Sequence, residues 1–148
     1  MRKVLVLLVV GWVGVSLAAA WVSVDRKLPY DLSFLDERGA ADRIGDDWLY
    51  GWGTGLAAPM PFVAAMAVLA ALSALTGAAG RAGAFLVALL GGLSLAYMLS
   101  SRPAHDRLTD TGADGTETAL VFATLGLAGL LVLIGLTSWL TAPREPYH

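Results

Sequence analysis

The sequence predicts an all-α integral membrane protein: a four-helix bundle with an extended extracytoplasmic loop. Three observations carry that prediction. Apolar residues make up 57% of the 148-residue chain, against about 45–50% in soluble domains. Charged residues make up only 15%. They are also missing altogether from four long stretches, Val4 to Val24, Trp48 to Gly80, Ala82 to Ser101 and Thr118 to Pro143. A helix crossing a hydrocarbon core of about 30 Å needs roughly 20 residues, and each stretch can supply them. The chain therefore reads as a single membrane domain, 1–148, with spans at 4–24, 57–77, 82–100 and 118–141. Its two long connections, 25–56 and 101–117, fall on one side.

The first span follows a basic start, "MRK". Ala18 to Ala20 resembles a signal-peptidase site. The apolar run continues past it to Val24, longer than the roughly 7–15 residues of a signal peptide's apolar region, so a retained helix is expected. In the connection that follows, "SFLD" (Ser33 to Asp36) has the spacing of a capping box. Phe34, Ala41, Ile44 and Trp48 then recur at helical spacing among charged residues, the pattern of a short amphipathic surface helix. Gly39 and Gly45 weaken it, at about 1 kcal/mol each relative to Ala.

Pro59 and Pro61 suit the first turn of the second span, where a missing N–H costs nothing. "GAAGRAG", Gly77 to Gly83, reads as a tight turn into the third span, making an antiparallel hairpin. "DGTE", Asp114 to Glu117, is a second capping box and opens the fourth span. Within the third span Ala84, Ala88, Gly92, Ala96 and Ser100 recur every fourth residue, and Ala70, Ala74 and Ala78 offer a matching row. Such ridges let helix backbones approach closely in lipid, where association rests on packing. The hairpin of spans two and three is accordingly expected to be the packed centre.

Orientation follows from the basic residues flanking the spans. With the N-terminus inside, Arg2, Lys3, Arg81 and Arg144 lie inside and six basic residues outside, a raw count that favours the opposite orientation. But the four occupy very short segments while the six are diluted over two long loops, and "MRK" abuts the first helix, which usually dominates topology. Both termini are then cytoplasmic. Arg outnumbers Lys eight to two within a background of Ala, Gly, Leu and Val, as in GC-rich bacteria, so the expected location is a bacterial cell membrane. The outer connections become acidic, with Asp25, Asp31, Asp36, Glu37, Asp42, Asp46 and Asp47 in one and Asp106, Asp110, Asp114 and Glu117 in the other. Solvation accounts for such a surface, and partner docking is the functional alternative.

Chemistry is mostly excluded. Without cysteine there is no thiol–disulfide centre, thiolate metal site or iron–sulfur cluster. The only histidines, His105 and His148, lie outside the spans, which removes an intramembrane bis-histidine haem. A formal charge of −2 makes no case for nucleic acid. "GDDWLYGWGTG", Gly45 to Gly55, lacks the G-x-G-x-x-G spacing of a dinucleotide loop and any strand before it. Trp48, Tyr50 and Trp52 instead suit the headgroup-depth aromatic belt, with Trp21 and Tyr97 on the same face and Trp139 on the other. An alternative makes Asp46, Asp47, Trp48, Tyr50 and Trp52 an outward-facing site for a cationic or quinone-like ligand.

"HDRLTDTGADGTE" carries possible metal ligands, but the calcium-loop alignment starting at Asp110 fails. Gly112 falls at the third position and Val121 at the twelfth, where acids belong. No metal or cofactor is expected. His105 and Asp106 have no activated nucleophile beside them, so a hydrolytic site there is the weakest reading. The spans contain no ionisable side chain, which argues against pumps and proton-coupled carriers. The expected function is non-enzymatic: an accessory or scaffold subunit whose partners are the bilayer and another membrane protein or itself. The alternative is a homo-oligomeric binder or carrier of small molecules or lipids.

Overall fold

The structure is a computed structural model that describes residues 1–28, 30–32, 37–39, 43–51, 53–109 and 114–142. Six helices, α1 (Arg2–Asp25), α2 (Ile44–Tyr50), α3 (Met60–Ala74), α4 (Gly77–Ser100), α5 (Arg102–Thr109) and α6 (Gly115–Thr141), account for most of it. The strands β1 (Tyr30–Leu32) and β2 (Glu37–Gly39) form a small antiparallel ribbon, with Asp31 opposite Arg38 in register. Three of the helices, α1, α4 and α6, are long and apolar enough to cross a membrane. At 1.5 Å per residue they measure about 36–40 Å.

Each long helix packs against two neighbours. α4 lies on α6 and α3, and α1 lies on the same two helices. Leu5, Val9, Trp12, Val63, Met66, Val87 and Leu131 are buried at the centre. Ala19, Ala20, Leu56, Met98 and Val121 form a second cluster toward the connecting segments. The outer faces are equally apolar: Leu7, Val10, Trp21, Leu93, Leu99, Leu133 and Leu140 are exposed. A helix apolar all round fits a buried or lipid-facing position rather than one facing water.

Four expectations need correction. α3 has 15 residues, about 22 Å, rather than the span 57–77. Residues 53–58 precede it as non-helical backbone, every one of them buried. "GAAGRAG" is not a turn but the first two turns of α4; Leu75 and Thr76 alone make the connection. Ala78, Ala79, Arg81 and Ala82 favour helix. Gly83 fits because the end of α3 crosses there, where a Cβ would meet Ser73 N at 2.5 Å. The surface helix expected from Phe34 is replaced over Glu37–Gly39 by β2, and helix begins only at Ile44. Gly39 carries its entropic helix penalty in that interval. Ser33 to Asp36 and Ala41 lie outside the described residues.

The fourth correction concerns the most extensive helix contact, which runs between α4 and α6 rather than along the α3–α4 hairpin, although α3 and α4 also approach closely at Gly83. Ala84 and Ala88 are buried there, and Gly135 of α6 meets them so closely that a Cβ would lie 2.9 Å from the Ala84 oxygen and 2.9 Å from the Ala88 Cβ. Farther along, Gly91 rather than Gly92 faces α6 and is buried; Gly92 and Ser100 are half-buried and Ala96 is exposed. Ala70 is buried, whereas Ala74 and Ala78 are exposed, Ala78 on α4 itself. α4 turns its inner face gradually past the strict four-residue row, because that row winds around a helix of 3.6 residues per turn.

Candidate functional site

Both long connections meet at the end of the molecule where α1 and α4 finish and α6 begins. Their centre is the buried segment Gly53 to Ala58. Backbone at such depth must have its polar groups satisfied internally, and Thr54 does much of this. Its Oγ1 accepts from Ala57 N at 2.9 Å and Leu56 N at 3.3 Å, and meets Ser23 Oγ at 3.1 Å. Thr54 N donates to Ala57 O at 2.8 Å. Tyr97 Oη donates to Thr54 O at 2.5 Å, and Ser101 Oγ donates to Gly55 O at 3.0 Å. A single threonine thereby ties α1, α4 and the segment together. Gly53 is required at its start: φ is +96°, and a Cβ would lie 2.6 Å from Ala57 O.

The aromatic–acidic stretch is organised by this plug. Asp46 and Asp47 stand in the first turn of α2, where a negative charge complements the helix dipole. Asp46 is exposed and Asp47 half-buried. The Asp47 carbonyl accepts from both Gly51 N and Gly53 N at 3.0 Å. Trp48 is half-buried, its Nε1 donating to Ala58 O at 3.1 Å. Tyr50 is 86% exposed. Trp52 lies outside the described residues. Asp47 and Trp48 thus hold the turn into the buried segment, while Asp46 and Tyr50 are exposed.

Beside the plug lies an ion-pair cluster that sequence reading missed. Asp114 caps α6, accepting from Thr116 N at 2.8 Å. Glu117 does not complete the expected capping box. Its side chain, only 5% exposed, receives Arg26 Nη1 at 2.9 Å and Arg107 Nε at 2.5 Å. Arg26 also pairs with Asp114 at 2.9 Å. Thr116 N–H, and then Arg26, hold the Asp114 carboxyl below its ordinary range. Glu117 and then Asp114 hold the Arg26 guanidinium above its own. The cluster clamps the end of α1 and the α5 connection to the start of α6.

The end of α1 is shaped to bring Arg26 there. Lys27 adopts left-handed backbone, φ 51°. Leu28 N donates to Ser23 O at 3.0 Å and Lys27 N to Val24 O at 3.2 Å, the two bonds of a Schellman motif. His105 is exposed on α5, and among the described residues no three His, Asp or Glu side chains come together as a metal cluster would need. Compared with models of known protein families, with curated proteins and with solved structures, the chain matches none.

Proposed function

We propose that this chain is a non-enzymatic accessory or scaffold subunit of a bacterial cell-membrane complex. In this reading α1, α3, α4 and α6 form a four-helix bundle in the bilayer, with both termini cytoplasmic and the plugged end outside. α3 is too short to cross alone, and the buried segment Gly53 to Ala58 makes up the missing depth. Irregular backbone is tolerated at that depth only when protein surrounds it.

One observation carries the association reading. Gly126 and Gly129 of α6 have nothing within 4 Å of where a Cβ would stand, unlike Gly135 against α4. A helical glycine costs about 1 kcal/mol relative to alanine, and among the described residues no contact at that position offsets it. Phe122, Leu130 and Leu133 surround these glycines and are exposed. A partner helix seated there approaches closely, as small-residue interfaces in membranes do. The partner is another membrane protein or a second copy.

Affinity purification from membranes in mild detergent, with mass spectrometry of the eluate, tests the reading. Stoichiometric recovery of a partner or a homo-oligomer is expected, lost on replacing Gly126 and Gly129 by Leu. Reproducible recovery as a lone monomer overturns it. Impermeant maleimide applied to intact cells tests the orientation, since the cysteine-free chain permits single-site labelling. Asp46→Cys is expected to label and Thr76→Cys to remain protected.

A further inference from the structure

At the end opposite the plug, the structure holds a pocket of about 510 Å³ between the starts of α1 and α4 and the end of α6. Arg2, Thr76, Gly77, Ser138 and Thr141 line it. We infer that this pocket binds a phosphate group, carried by an anionic lipid or by a small soluble phosphate ester.

Four features bear on this pocket, three in its lining and one, Arg81, on α4 a turn beyond it. The Ser138 residue is only 7% exposed, and its Oγ is buried without a hydrogen-bond partner. A buried hydroxyl left unpaired costs about 1–3 kcal/mol and is a place for a ligand oxygen. Arg81 stands one turn beyond Gly77 on the same face of α4, and its Nε is likewise buried and unpartnered. The Arg2 guanidinium carbon lies 3.6 Å from the point where a Cβ on Gly80 would stand, so Arg2 reaches across to α4. Finally, Thr76 precedes α4 without making a side-chain cap, which leaves first-turn amides open to an anion.

Among the described residues the charge balance favours an anion. Every described acidic residue belongs to the opposite end: Asp25, Asp31, Glu37, Asp46, Asp47, Asp106, Asp114 and Glu117. The end of α6 opposes an anion with about half a negative charge from its last carbonyls. Arg2 in the lining supplies a full positive charge, Arg81 adds a second from the next turn of α4, and the start of α4 adds about half of one. Thr141 contributes no competing demand, since its hydroxyl already donates to Thr137 O at 2.8 Å. Guanidinium groups match phosphate oxygens in a planar fork. Basic pockets of this sort between helices suit lipid headgroups at a cytoplasmic surface; only this lipid source rests on the membrane reading above.

The experiment measures the thermal shift of the purified full chain in detergent with added phosphatidylglycerol, phosphatidylcholine or glycerol phosphate. Phosphatidylglycerol is expected to bind at least fivefold more tightly than phosphatidylcholine. Arg81→Gln should weaken it about fivefold, and the double change with Arg2→Gln about 25-fold, from roughly 1 kcal/mol per basic residue. Ser138→Ala should weaken it severalfold without altering helix content. Raising salt should weaken binding to the unaltered protein, a check that needs no variant. Stabilisation by glycerol phosphate alone assigns the phosphate to a soluble ester, and its absence beside a phosphatidylglycerol shift assigns it to lipid. Equal binding of the two lipids with no response to glycerol phosphate, or salt-independent binding, overturns the proposal. Resistance of the protein to alkaline extraction from membranes tests the membrane reading separately.

Discussion

Replacing Thr54 by Val removes one oxygen from the plug and leaves its shape almost unchanged. The substitution isolates the hydrogen bonds from the packing. Thr54 Oγ1 accepts from Ala57 N at 2.9 Å and Leu56 N at 3.3 Å, and both residues are about fully buried, at 1% and 2% exposure. A buried amide left without an acceptor costs about 1–3 kcal/mol. The longer bond to Leu56 contributes the lesser share. Ser23 loses little, because its Oγ also donates to Ala19 O at 2.8 Å. The expected loss is about 2–3 kcal/mol. Thr54→Ser keeps the oxygen and loses only a methyl, at about 1 kcal/mol. Denaturant unfolding in detergent micelles, followed by tryptophan fluorescence, measures both. Hydrogen exchange at the Ala57 amide should accelerate in Thr54→Val alone. A loss below about 0.5 kcal/mol for Val, or equal losses for Val and Ser, refutes the role given to this hydroxyl.

Three further outcomes follow from the same end of the molecule. Glu117→Gln leaves Arg26 and Arg107 without their shared charge; because both guanidinium groups remain partly hydrated, the cost is about 2 kcal/mol rather than the 3–5 of a fully buried pair, measurable in the same unfolding assay. Lys27→Gly relieves left-handed backbone at φ 51° and should raise stability by about 1 kcal/mol, with a higher unfolding midpoint as the readout. Asp114 titrates below its ordinary value of 3.8. Its contribution is therefore fully present above that value and is lost as pH falls through it toward the depressed folded value. Thermal scans between about pH 6 and 3 should show a shallower decline in Asp114→Asn than in the unaltered protein, and equal slopes count against the contact with Thr116 and Arg26.

The long helices were legible because long uncharged apolar runs mark them whether a given face is buried or exposed. α1 and α6 begin and end within a few residues of the uncharged runs, and Asp114 caps α6 as its position suggests. The shortness of α3 was not legible. Gly53 to Ala58 is as free of charge as the helix after it, and composition cannot distinguish buried loop from buried helix. Gly77 to Gly83 misled for a related reason: glycine marks turns, yet Gly83 serves close approach of α3 to α4 inside a helix. Glu117 has the same spacing in a capping box as in a cross-connection ion pair, and only the fold brings Arg26 and Arg107 to it. Within the aromatic–acidic stretch, neither the bond from Trp48 to Ala58 O nor the part of Thr54 as hub was readable, since nothing in the sequence marks which hydroxyl meets two buried amides.

The most direct test of the association reading is photocrosslinking in living membranes, with a diazirine side chain replacing Phe122 or Leu130. These exposed residues flank Gly126 on the open face of α6 and leave the glycines intact. Leu93, exposed on α4, serves as the control position. A discrete protein adduct is expected from positions 122 and 130, absent at 93 and lost when Gly126 and Gly129 become Leu. Crosslinks to lipid alone from all three positions would contradict it.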